Sequence, residues 1–165
     1  MTAVGISGHR VLSESVSDYV SDELRTLLNQ ISTWETIDSP ALLVGYSCLA
    51  IGADQTFARS VLDAGGELVA VIPCEDYEQT FTGDELGEYR RLLGRCREVI
   101  TLPFASPSEE AFMAAGEELV RRSELLIAVW DGRPAVGLGG TGDVVALATS
   151  LGRETHIIWP TGVER

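Results

Sequence analysis

The sequence predicts an α/β fold of three layers, an open parallel sheet of about six strands with helices on both faces. Three observations carry that expectation. Apolar runs at residues 3–7, 41–46, 67–72, 98–102, 125–130 and 155–159 alternate with five helical segments along the chain, the signature of βαβ units. The run LLIAVW at residues 125–130 is unbroken by polar residues, as in a strand buried on both faces. No repeat, linker or low-complexity stretch interrupts the 165 residues, so residues 1–165 read as a single domain, long enough to bury about 70% of its unfolded surface.

In chain order, the first strand ends in Gly8-His9-Arg10, a glycine followed by two cationic side chains. Val16, Val20, Leu24, Leu27, Leu28 and Ile31 then fall on one helical face, with Ser15 and Asp18 in capping-box spacing. The second strand leads through the loop SCLAIGAD, residues 47–54, into a helix over 55–64 that Gly65-Gly66 stop. Pro73 ends the third strand, and residues 74–83 are acidic and irregular. Asp84 is placed to cap a helix carrying Leu86, Tyr89, Leu92 and Leu93, and Pro103 ends the fourth strand. Ser106-Pro107-Ser108-Glu109 marks the start of a helix that runs through Arg122. After the fifth strand come Asp131-Gly132, Gly137, Gly139, Gly140, Thr141 and Gly142. Thr141 is placed to cap a helix that Gly152 ends.

Strand, glycine-rich loop, helix start is the order that makes an anion site, because unpaired N–H groups and the positive end of the helix dipole point out of the loop. In parallel sheets ligands sit at the carboxyl ends of strands, near the point where strand order reverses. That rule selects Gly8, His9, Arg10, Ser47, Asp131, Gly132, Gly137, Gly139, Gly140, Thr141 and Gly142 as candidate ligand-binding residues, and it puts Arg10 opposite Thr141 if the first and fifth strands are neighbours. Arg10 offers a planar fork for a phosphate. His9 offers a proton or a loop hydrogen bond, and Asp54 a helix cap or a hold on a ribose hydroxyl. Asp131 suits a turn or a ribose. Asp143, in the first turn of the last helix, is better placed facing a sugar than a phosphate, and it is the one candidate catalytic residue. Glu109, Glu110, Glu117 and Glu118 read as a solvated helix face. Trp130 and Trp159 end apolar strands, as core or as walls for a base.

Twelve basic against 25 acidic residues give a net charge of −13, the wrong sign for binding a polyanion, so nucleic acid is not expected as a partner. Cys48, Cys74 and Cys96 have no paired spacing, which favours plain thiols over bridges or zinc; no metal and no cofactor enter the expected site. No run approaches the roughly 18 apolar residues of a membrane span, and the N-terminus lacks a signal layout, so the expectation is a cytoplasmic protein with no membrane partner. A homodimer is the common assembly for such folds.

Taken together, Gly5-Ile6-Ser7-Gly8-His9-Arg10, Gly52-Ala53-Asp54 and Gly139-Gly140-Thr141 resemble the Rossmann-like SLOG superfamily, which groups the LOG phosphoribohydrolases, the Smf DNA-processing proteins and many nucleotide-binding domains. The resemblance implies a pocket for a nucleotide or a nucleotide-derived ligand, with phosphate on the loop 137–142. LOG enzymes carry GGxGTxxE, whose glutamate acts in catalysis. Aligned on Gly140-Thr141, the leading glycine pair falls on Gly137 and Leu138, and the glutamate on Val144. Asp143 is one residue earlier, a rotation of about 100° on a helix. Deoxyribosyltransferase-like hydrolases, which this chain also resembles around 125–148, place an acid near Asp143. By charge, a DNA-binding role of the Smf kind is not expected. Three functions follow: a protein that binds a small-molecule nucleotide, an N-glycosidase that releases a base from a nucleoside monophosphate, or an oligomeric interaction module whose loop binds nothing. Glycines and a cation without paired carboxylates favour binding.

Overall fold

The computed structural model describes residues 1–32, 42–134 and 137–164. Six strands, β1 (Thr2–Gly8), β2 (Leu43–Ser47), β3 (Glu67–Ile72), β4 (Glu98–Thr101), β5 (Leu125–Val129) and β6 (Glu154–Ile158), form one sheet in the order β4-β3-β2-β1-β5-β6. Every neighbouring pair is parallel. Between them run helices α1 (Glu14–Ser32), α2 (Ala53–Asp63), α3 (Gly83–Leu93), α4 (Glu109–Arg122) and α5 (Thr141–Ser150). The expected three-layer α/β sheet is the architecture found.

Side-chain alternation along β1 sets the layers. Val4 and Ile6 join Val16, Val20 and Leu24 of α1 and Phe57 and Val61 of α2 on one face. Ala3, one position out of phase, joins Leu119 of α4 and Val144 and Ala148 of α5 on the other. Gly5 shares that second face, and a Cβ there would stand 2.5 Å from Leu119 Cδ2, so α4 lies directly on the strand. Both faces of β1 and β5 are therefore covered, as their unbroken apolar runs require. A third cluster under α3 gathers Tyr77, Phe81 and Tyr89, with the Phe81 and Tyr89 rings stacked at 4.4 Å.

The first four strands step outward in one direction, and β5 then returns to the other side of β1. Strand order thus reverses between β1 and β5, where Gly8 is in register with Val129. Connections leaving these two carboxyl ends diverge to opposite faces and open a crevice there.

Several element ends differ from the sequence reading. Helix α1 begins at Glu14, one turn bonding to Ser13 rather than Ser15: Val16 N–H donates to Ser13 Oγ (3.4 Å) and Ser17 N–H to Ser13 O (2.8 Å). Asp84 lies inside α3, behind Thr82. Ser108 alone caps α4, accepting from Ala111 N–H at 3.0 Å, with Pro107 outside the helix. Gly140 takes the cap position of α5, so Thr141 is its first residue. The irregular segment contains a 3₁₀ helix, Glu75–Thr80. The expected start of the second strand at Ala41 lies outside the described residues. Cys48, Cys74 and Cys96 are free thiols, and no described helix is long and apolar enough to cross a membrane.

Candidate functional site

A cavity of about 480 Å³ fills the crevice at the carboxyl ends of β1 and β5, within the range of small-molecule sites. One wall is the end of β1, from Ile6 through Arg10. The opposite wall is the start of α5, Gly139, Gly140, Thr141 and Gly142. Phe112, Ala115, Gly116 and Leu119 of α4 form an apolar floor with Val144, and Tyr77 and Asp54 close the far side.

The start of α5 offers free donors. Asp143 N–H and Val144 N–H donate to Gly140 O (3.0 and 3.2 Å), whereas the N–H groups of Thr141 and Gly142 have no acceptor among the described residues. Gly139 can make this turn because it has no side chain: its φ is +83°, and a Cβ would lie 2.8 Å from Met113 N. Its N–H donates to Asp143 Oδ2 at 2.9 Å. The Asp143 carboxylate thus closes the glycine turn on α5, and it is not among the groups lining the cavity.

Across the crevice, Gly8 lets the backbone pass close to α2, since a Cβ would stand 2.4 Å from Ala53 Cβ. Arg10 follows, exposed, lining the cavity and without an ion pair among the described residues. Arg133 also lines the cavity but is paired with Glu164 at 2.9 Å. His9 is held from both sides. Its Nε2 lies 3.2 Å from Asp131 Oδ1 and 3.3 Å from Asp131 N, and its ring meets Trp159 edge-on at 5.4 Å. Asp131 also accepts from Arg133 N–H at 3.1 Å. Asp131 therefore orients His9 and the β5–α5 loop from behind the cavity wall, with Gly132 and Gly137 likewise outside the lining.

Ser47 is fully buried behind the cavity and shapes the loop after β2. Its Oγ accepts from Leu49 N–H (3.0 Å) and donates to Asp54 O (3.4 Å). Leu49 has φ +56°, a left-handed conformation that costs a non-glycine residue about 1–2 kcal/mol. Gln55 Nε2 holds it by donating to Leu49 O at 3.3 Å. The loop wraps Asp54, which is 5% exposed. Burial pushes its carboxyl up to about 7, opposed by hydrogen bonds from the Ala50 and Cys48 backbone, the Arg10 charge and the Ser47 hydroxyl. Burial likewise raises the Cys48 and Tyr77 groups beside it, and the negative form of Asp54 adds to both.

Of the residues selected from the sequence, the structure brings Gly8, His9, Arg10, Gly139, Gly140, Thr141 and Gly142 to one cavity, and places Ser47, Asp131, Gly132, Gly137 and Asp143 around it. Glu109 and Arg133 were not singled out. Glu109, read as part of a solvated face, starts α4 at the cavity rim beside Gly137. Its position directly after the Ser108 cap, at the start of a helix that sets out from the carboxyl ends of the strands, was the available signal. Among the described residues no group of three or more His, Cys, Asp or Glu is placed to hold a metal ion.

No family model matches the chain, and no curated protein does. Solved structures do. The DNA processing protein A (DprA) of Streptococcus pneumoniae superposes with a TM-score of 0.72 at 20% identity, over 99% of this chain and 52% of its own. DprA of Helicobacter pylori gives 0.67 at 15% identity, over 99% and 67%. The Moco carrier protein of Chlamydomonas rheinhardtii gives 0.55 at 14%, over 94% and 74%. These structures share the Rossmann-like open sheet of this chain, the fold that the SLOG resemblance implies. This chain spans about half the length of the S. pneumoniae protein, so the likeness concerns the Rossmann-like sheet and its helices.

The likeness to the DprA structures also corrects the exclusion of nucleic acid. The H. pylori protein, which shares this fold, is described by its mode of binding single-stranded DNA. A net charge of −13 is a sum over the whole surface, whereas binding is decided by the local field at a crevice and by backbone donors that carry no formal charge.

Proposed function

We propose that this SLOG-type chain is a nucleotide-binding domain, which holds the phosphate of its ligand between the first turn of α5 and Arg10 and its base over the apolar floor of α4. One observation carries the reading: Thr141 and Gly142 present unpaired N–H groups to the same cavity that Arg10 lines without an ion pair. Backbone donors at a helix start select an anion, and the guanidinium adds a charged hydrogen bond. Phe112 and Leu119 supply the apolar surface that a phosphate alone does not need. The Asp143 carboxylate is engaged by Gly139 N–H, which supports binding over base release.

The test is calorimetric titration with nucleoside monophosphates, the parent nucleosides and inorganic phosphate. Monophosphates bind best, and Arg10→Ala weakens them by at least about tenfold, the equivalent of a lost charged hydrogen bond of roughly 1.5 kcal/mol. Equal affinity with and without the phosphate, or no effect of Arg10→Ala, contradicts the reading. Free base appearing in the same incubations would move it to the N-glycosidase.

The likeness to H. pylori DprA supports a second reading, in which the bound nucleotide is one unit of a single strand. An oligodeoxynucleotide that displaces the monophosphate from the wild type but binds Arg10→Ala weakly would favour it.

A further inference from the structure

A second cavity, about 350 Å³, lies on the other side of the β1–α1 connection. Its walls are Val11, Leu12, Val16 and the Trp159 indole, and it shares His9 and Arg10 with the first cavity. The Trp159 ring is fixed from two directions, by the His9 ring edge at 5.4 Å and by its own Nε1–H, which donates to Val163 O at 2.8 Å. Beside it Val11 is 78% exposed. A held indole and an uncovered aliphatic side chain in one concavity suit a flat, apolar-faced group such as a nucleobase. Glu164 stands at the rim, tied to Arg133 of the first cavity at 2.9 Å. Its carboxylate disfavours a second phosphate there.

We propose that the ligand consists of two nucleoside units joined through phosphate, with the linkage at Arg10, one base in each cavity and Trp159 as the platform for the second. This rests on the nucleotide-binding reading above. The shared arginine is what couples the two cavities: a phosphate on it has the α4 floor on one side and the Trp159 wall on the other. The strand order supports the same geometry, since connections diverge on both sides of the point where β1 meets β5.

The test compares a dinucleoside monophosphate with a nucleoside phosphate methyl ester, which carries the same single charge and one base. The wild type binds the dinucleoside form at least about tenfold tighter, the scale of one base stacked on an aromatic ring. Val11→Asn, an uncharged change at an exposed position that leaves the core untouched, lowers the dinucleoside affinity toward that of the methyl ester without changing the latter. A 5′–5′ linked dinucleotide and a 3′–5′ linked one, run side by side, tell a free dinucleotide from a piece of single strand. Equal affinities for the dinucleoside form and the methyl ester overturn the second subsite and leave the nucleotide reading standing. Absence of binding by either form overturns both.

Discussion

Asp54 is where the cavity's chemistry departs most from that of ordinary side chains, because a carboxyl pushed up to about 7 by burial is linked to stability. Between the unfolded value near 3.9 and the folded one near 7, the native state binds more protons than the unfolded state. The neutral acid is accommodated below about pH 4. The cost of burying the anion grows as pH rises, and it is complete above about pH 7. Asp54→Asn removes this dependence. Denaturant unfolding of both proteins at pH 5 and pH 8 is therefore expected to show the variant gaining on the wild type at the higher pH, by an amount on the order of 1–3 kcal/mol; a difference that stays constant with pH would contradict the assignment. Residue chemistry of this kind was only half legible in the sequence. Arg10 and Gly139 announced themselves through strand ends and glycine content, and both line the cavity. Asp54 read more readily as a helix cap, whereas Gly52 holds that position and Asp54 lies inside α2; its burial depends on Leu49 taking a left-handed turn that no local pattern demands. Glu109 was hidden for a related reason: a helix-start glutamate looks solvated until the loop carrying Gly137 comes to rest against it.

At the scale of elements, α4 and α5 together build the floor and the anion-binding edge, and their approach depends on Gly116. A Cβ at that position would lie 2.8 Å from Val144 Cγ2. Gly116→Ala should accordingly force the two helices apart and destabilise the protein by about 1–3 kcal/mol, as overpacking does, even though alanine is the better helix former. Urea unfolding measures the loss, and an unchanged or raised midpoint would mean that Val144 yields without moving α5. Strands and helices were legible because apolar period and cap signals are local. Their ends were less so. Thr141 carries the better capping side chain, yet Gly140 occupies the cap, its extended backbone (φ −73°, ψ 170°) being what lets the glycine turn enter α5.

For the molecule as a whole, alternation of strand and helix established the parallel sheet, but alternation is silent on which side of β1 the fifth strand inserts. That choice creates the crevice, and it is settled by packing: β5, apolar on both faces, needs the cover that α2 and α4 already give β1. Net charge misled at this scale. It described a mostly acidic exterior correctly and said nothing of Arg10 and two unpaired N–H groups gathered at one strand end. Whether these groups receive a phosphate is read at the atoms themselves by an amide chemical-shift titration of isotope-labelled protein with a nucleoside monophosphate. The expected result is that the largest shifts fall on Gly140, Thr141 and Gly142, with Arg10 Nε–H moving in parallel. Shifts confined to other parts of the surface, or none at saturating ligand, would contradict it.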